Sequence, residues 1–216
     1  FFKNHGLFKI KNRPQWYTVT GRSRTYVNKV LQTISGEYFK NYEIKSVYRN
    51  KNSVRLYYGS SNEYFDYDKV VFATHADEAL KLINNPTENE KEVLKNFNYK
   101  KNLAYLHNDE QLMPNKKTAW SSWNSILDKN DINKNCITYW LNKLQNLNTN
   151  NNYFLTLNPI NQIDEKKIFK KVEFTHPFYD LESIKAQKHL VKLQGVNNTW
   201  FCGSYFGYGF HEDGLK

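Results

Sequence analysis

The chain has 216 residues, 39% of them hydrophobic and 16% aromatic, which is enough apolar side chain to fill a substantial core and excludes a disordered polypeptide. No run of ~18 apolar residues occurs, which argues against a membrane-spanning helix. Only Cys136 and Cys202 are present, outside any CxxC spacing, which argues against a disulfide framework or a zinc ribbon. The formal net charge of +10 sits on scattered lysine pairs such as Lys100-Lys101 and Lys170-Lys171 among many asparagines, so we read it as compositional drift and expect no nucleic-acid function. The first residue is Phe1 and no basic-then-apolar leader precedes it, so the expectation is a chain cut from a longer one, and the cysteine usage fits a reducing, cytoplasmic home.

In chain order, Gln15 to Val19 is a short aromatic and β-branched run ending at the turn residue Gly21. Tyr26, Val27, Val30, Leu31 and Ile34 then recur at helical spacing, with Ser35-Gly36 as the stop. Three alternating runs, 42–49, 53–58 and 63–67, predict an antiparallel meander with turns at 50–52 and 59–62. The continuous apolar run 69–74 predicts a strand buried on both faces, as in a parallel sheet. His75-Ala76-Asp77 opens a helix, and Thr87 opens a second one with acidic residues in its first turn.

The middle of the chain predicts strands at 102–107, 118–123, 136–141, 153–157 and 166–174, then a helix at 184–193. This pattern implies an antiparallel sheet inserted between two parts of another module. Near the C-terminus, WFCGSYFGYGFHEDG alternates glycines with aromatics, and Trp200 to Cys202 is a short apolar strand.

The blocks DYDKVVFATHADEALKLI, YKKNLAYLHNDEQLMP, AWSSWN, ITYWLNKLQ, LTLNP, FTHPFYD and WFCGSYFGYGFHEDGLK, in this order, resemble a bacterial group of flavin-containing amine oxidase-like oxidoreductases. That group is related in fold to monoamine oxidase and phytoene desaturase. The resemblance covers essentially the whole chain and implies a mixed α/β fold, with Rossmann-like FAD-binding pieces and an inserted antiparallel-sheet substrate domain. It places the FAD-binding pieces at 13–80 and 196–216 and the substrate domain at 1–12 and 81–195. Relatives of that kind begin with a strand, a GxGxxG turn and a helix that hold the FAD pyrophosphate, and this chain carries no GxGxxG. The expectation is therefore that this chain alone holds the cofactor weakly.

By that resemblance the cofactor is FAD, the partner is a small amine or lipid-like substrate, and the reaction is hydride abstraction from a C–N or C–C bond. Gly203 and Ser204 would bring backbone and a small side chain to the ribityl-pyrophosphate, where glycine permits close approach. Gly214 and Leu215 would offer amides to the pyrimidine edge of the flavin, Tyr205, Phe206, Tyr208 and Phe210 would wall the isoalloxazine or the substrate channel, and Gly209 and His211 would neighbour the cofactor. Ala73, Thr74 and His75 would lie beside the FAD, and Ile44 and Val47 would sandwich the adenine. Trp16 and GRSRTYV correspond to a turn that approaches the flavin, with Arg22 where relatives carry a second glycine.

Each residue also has a structural role open to it. A glycine-aromatic run packs its own rings, and His75 satisfies a helix start. His211-Glu212-Asp213 point apart as neighbours, so the expectation is no metal site, with Asp213 as a helix N-cap and Glu212 favoured by the dipole. His107 with Asp109, and His176, are candidates to face substrate. No residue receives a catalytic assignment from the sequence.

Overall fold

The computed structural model describes residues 9–12, 15, 17–60, 63–128, 131 and 134–215. Trp16 lies outside them. In chain order the elements are α1 (Ser23–Thr33), β1 (Ile44–Arg49), β2 (Val54–Tyr58), β3 (Glu63–Tyr67), β4 (Val70–Phe72), α2 (Ala76–Leu82), α3 (Glu88–Leu94) and β5 (Asn98–His107). There follow β6 (Trp123–Leu127), β7 (Asn135–Trp140), α4 (Leu141–Leu144), β8 (Phe154–Leu157), β9 (Ile168–Phe178), α5 (Leu181–Gln187) and β10 (Thr199–Phe201). The chain divides into two compact units, one made of 1–11, 34–100 and 177–216, the other of 12–33 and 101–176.

The first unit is layered around one core. Strands β1, β2 and β3 form the expected antiparallel meander, while β4 and β10 pair in parallel. Val47 and Val54 from the meander and Phe72 and Phe201 from the parallel pair meet Ala79, Leu94, Leu190 and Leu193 in a single buried cluster. Each such aliphatic or aromatic side chain contributes roughly 1.5–3 kcal/mol through burial. Residues 81–100 and 177–195, which the resemblance grouped with the substrate domain, thus pack in the same core as β4 and β10.

The ends of the helices follow local chemistry. Thr87 and Glu90 close a capping box, with Thr87 N–H donating to Glu90 Oε2 at 2.7 Å and Glu90 N–H to Thr87 Oγ1 at 3.2 Å. The same Glu90 carboxylate accepts from Arg49 Nη1 and Nη2 at 2.6 and 2.8 Å. Arg49 also donates to Thr199 Oγ1 at 3.1 Å and to the Asn85 carbonyl at 3.2 Å. Both side chains are 0% exposed, so a buried ion pair ties β1 to the start of α3 and to the first residue of β10. Burial would raise the Glu90 carboxyl, but the bonds from Arg49 and Thr87 outweigh it and hold it below the ordinary glutamate value.

The second unit carries a sheet in the order β6-β7-β8-β5-β9. Phe154, Trp120 and Met113 form its small core with Trp140, the Trp120 ring meeting Phe154 and Trp140 edge-on at 5.7 and 5.3 Å. The strand expected at 118–123 is displaced. Lys117–Ala119 is a single 3-10 turn, and Trp120 is buried through this loop with its indole N–H on the Pro114 carbonyl at 2.7 Å. The strand begins only at Trp123. The helix expected at 184–193 is α5 followed by a separate 3-10 turn, Leu190–Leu193. Arg22 has φ of 71°, a left-handed conformation that ordinarily favours glycine.

Candidate functional site

The parallel pair determines where the candidate residues meet. Val70, Val71 and Phe72 face Thr199, Trp200 and Phe201, and Cys202 N–H extends the ladder to the Phe72 carbonyl at 2.9 Å. Because the strands are parallel, their carboxyl ends deliver residues 73–75 and 202–204 side by side, the place where open α/β sheets bind ligands. Phe72 and Phe201 stack inward at 5.5 Å. Val71 points outward and is 61% exposed, so β4 is buried on one face and not on both. Among the described residues this sheet has two strands, and Val71 faces a cavity and not a packed layer, which accounts for the difference.

On that side lies a cavity of about 520 Å³, walled by Trp200, Cys202, Gly203, Gln187, Asp213, Gly214 and Leu215 among others. The loop that forms its rim is tightly bonded. The Ser204 carbonyl accepts from Gly207 N–H and Gly209 N–H, each at 3.2 Å, and from the Tyr179 hydroxyl at 3.1 Å. Gln187, the last residue of α5, donates its amide to the carbonyls of Tyr205 at 3.0 Å and Gly207 at 2.6 Å. A Cβ built on Gly214 would sit 3.7 Å from Ser204 N and 3.9 Å from Gly203 Cα, so the two glycine-containing runs pack backbone to backbone.

Electrostatics at the loop follow from burial. Tyr179 is pushed up to about 12, mainly by burial and then by the Asp213 charge. Tyr205 is 1% exposed and its hydroxyl has no hydrogen-bond partner among the described residues; burial drives its pKa upward, with Tyr99 adding to the effect. Tyr99 itself rises to about 12, again chiefly through burial, while its hydroxyl accepts from Ala76 N–H at 2.9 Å.

The structure brings Gly203, Ser204, Gly214 and Leu215 together and sets Ala73 and Thr74 at the adjoining strand end. A Cβ on Gly203 would lie 3.7 Å from the Thr74 carbonyl but only 2.6 Å from Tyr205 Cε1, so the Tyr205 ring occupies the space that a side chain at 203 would need. His75 precedes α2, makes no side-chain cap, and stacks on Tyr99 at 4.0 Å with an interplanar angle of 12°. Gly209 has φ of 95° and packs against Tyr179, and Phe210 and His211 are exposed beyond it. Ile44 and Val47 stay in the meander. Val47 is 1% exposed within the core and its carbonyl accepts from Asn84 N–H at 3.0 Å.

Two expectations need correction. Asp213 is not a helix N-cap: it lies inside the single turn Glu212–Gly214, and its Oδ2 accepts backward from Tyr208 N–H at 2.9 Å and Phe210 N–H at 3.0 Å. His107 does not face substrate, being 0% exposed, with Nδ1 accepting from Asp109 N–H at 3.1 Å and Nε2 on Thr156 Oγ1 at 2.8 Å. His176 is exposed and bonded to Asn102 at 3.0 Å. Sequence reasoning missed Gln187 and Tyr179, whose partners lie 18 or more residues away and leave no local pattern. Among the described residues, no group of three His, Cys, Asp or Glu could hold a metal ion, and no helix is long and apolar enough to cross a membrane.

This arrangement, a parallel pair with a loop-rimmed cavity at its carboxyl edge and a separate antiparallel sheet inserted in sequence, is a mixed α/β fold of the amine-oxidase type. No protein-family model matches the chain, and no curated protein sequence does. Solved structures do match. A CLA-producing fatty acid isomerase from P. acnes has a TM-score of 0.60 at 12% identity, over 89% of this chain and 49% of that one. Wild-type putrescine oxidase bound to putrescine has a TM-score of 0.57 at 9% identity, over 90% of this chain and 50% of that one. Cyclohexylamine oxidase from Brevibacterium oxydans has a TM-score of 0.51 at 9% identity, over 80% and 45%. The chain spans about half the length of these proteins, and at such identities the likeness is one of fold.

Proposed function

We infer that this chain forms the flavin-facing part of an FAD-dependent oxidoreductase of the amine-oxidase type. The observation that carries the reading is the cavity at the carboxyl ends of β4 and β10, where the Gly203–Ser204 and Gly214 backbones meet. Its chemistry suits one part of FAD. Among the described residues the lining holds no Lys or Arg and one carboxylate, Asp213, so it favours the neutral ring system over the diphosphate. The diphosphate, which needs cations or a cradle of amides, would be held by residues other than these.

Gly203, Ser204, Gly214 and Leu215 would hold the ring system, while Trp200 and Phe206 would exclude water from it. Bound flavin would supply the hydride chemistry, oxidising a C–N or C–C bond of the substrate. Two substrate classes are in keeping with the fold, an amine and a fatty-acyl chain, as the names of the structural neighbours indicate for those proteins. A reducing, cytoplasmic setting belongs to the same reading, supported by the free thiols of Cys136 and Cys202.

The test is the visible spectrum of the complete protein as purified and after titration with FAD. Bands near ~370 and ~450 nm that dithionite bleaches are expected, because the cofactor brings its own chromophore. A folded protein that stays colourless and takes up no FAD would instead be an idle scaffold of this fold. Tight, sequence-selective binding of RNA or single-stranded DNA by such a protein would replace the oxidoreductase reading with a binding module.

A further inference from the structure

Resting on the flavin reading, we propose that Asp213 is a positioning residue of the cavity, holding the 207–210 bend closed from within and placing a fixed negative charge in the wall. Its Oδ2 accepts from two amides of the bend, Tyr208 N–H at 2.9 Å and Phe210 N–H at 3.0 Å. Its own N–H donates to the Phe210 carbonyl at 3.1 Å, so backbone and side chain close the same bend. Bonds from amides to a carboxylate are about twice as strong as neutral ones.

Gly207 is what admits this carboxylate. A Cβ at 207 would overlap Asp213 Cγ and Oδ1, and no other side chain than hydrogen leaves that space open. The residue after Asp213 is Gly214, whose backbone packs on Gly203 and Ser204. Closing the bend therefore fixes the spacing between the two backbone runs that form the cavity's rim. The charge has its own consequence. Among the described residues that line the cavity with Asp213 there is no Lys or Arg, and an anion without a cation in the lining disfavours the addition of electrons to a neighbouring ring system.

The experiment compares Asp213→Ala, Gly207→Ala, their double variant and Asp213→Asn in the complete protein, with FAD as the probe. Affinity is read by flavin fluorescence and the midpoint potential by dye equilibration. Asp213→Ala and Gly207→Ala should each weaken FAD by about tenfold, and the double variant should be no worse than the poorer single, because the alanine at 207 only evicts a carboxylate that is already absent. Asp213→Asn keeps an oxygen for both amides, so affinity should stay within about threefold while the potential moves to more positive values. Circular dichroism identifies any variant that fails to fold, and Asp213→Asn preserves the test in that case. Wild-type affinity in Gly207→Ala, additive losses in the double variant, or an unchanged potential in Asp213→Asn would each overturn the proposal. If the unaltered protein takes up no FAD, the flavin reading falls and this one with it; if it binds and the variants bind equally, only the role of Asp213 falls.

Discussion

Replacing Glu90 by Ala should be the most damaging single change to the first unit. Glu90 accepts two bonds from the Arg49 guanidinium and two from Thr87, and all of these are lost together. What remains is a fully buried cation whose Nε already lacks a partner among the described residues, with Thr199 Oγ1 and the Asn85 carbonyl as its acceptors there. Removing one partner of a buried pair costs about 3–5 kcal/mol. Against a typical total of about 5–15 kcal/mol, that is a fifth or more of the stability of a domain. Urea titration will report it if the readout belongs to this unit, and exchange of the Cys202 amide, bonded to the Phe72 carbonyl, is such a probe. The double variant Arg49→Met with Glu90→Leu should recover most of the loss, since an apolar pair leaves no uncompensated charge. Glu90 also predicts the pH profile. With its folded value lowered, the contribution is present above the ordinary value of about 4.3 and is lost as pH falls through the folded value. A cost below about 1 kcal/mol for Glu90→Ala would refute the reasoning, because it would mean that the guanidinium finds water or another acceptor at no penalty.

Tyr205→Phe should leave the first unit as stable as before or raise its stability by about 1 kcal/mol in a thermal or urea melt, since it deletes a buried hydroxyl that has no partner; a loss of that size would show that the hydroxyl is bonded. In the second unit, burial holds the His107 imidazole below its ordinary value despite the nearby Asp109 carboxylate, itself paired to Lys167. The neutral form that accepts from Asp109 N–H is the stable one, so stability should fall as pH drops through about 6.5 and keep falling toward the lowered value. Near-UV circular dichroism of Trp120 and Trp140 between neutral and acid pH checks this, and a flat profile in that range would contradict it.

Local chemistry was legible in the sequence and distant pairing was not. The meander could be read from its turn residues and alternation, and the start of α3 from Thr87 with its acidic first turn. Nothing near Glu90 shows that its carboxylate also meets an arginine 41 residues earlier, because a capping box and a buried ion pair draw on the same residue type. Trp120 misled the reading of 118–123. An aromatic among β-formers suggests a strand, whereas here the ring is buried from a loop and the strand starts three residues later. At the cavity, glycine and aromatic alternation drew attention to the segment that forms the rim. It did not show that Gly207 makes room for Asp213 or that the space beside Gly203 is filled by Tyr205, since both depend on the curl of the chain.

The order in which the core is assembled has a consequence for synthesis on the ribosome. Val47, Phe72 and Leu94 emerge early, but the core they belong to also requires Leu190, Leu193 and Phe201, and Arg49 waits for Thr199, 150 positions later in the chain. At roughly 5–20 residues per second, the early segments of this unit spend about ten seconds or more with apolar surface uncovered. Residues 101–176, by contrast, are contiguous and bring β5 to β9 together without help from the last segment. Nascent chains should therefore acquire a protease-resistant middle before their outer parts are protected. The interval between the two events is when a holdase chaperone would find the most to bind.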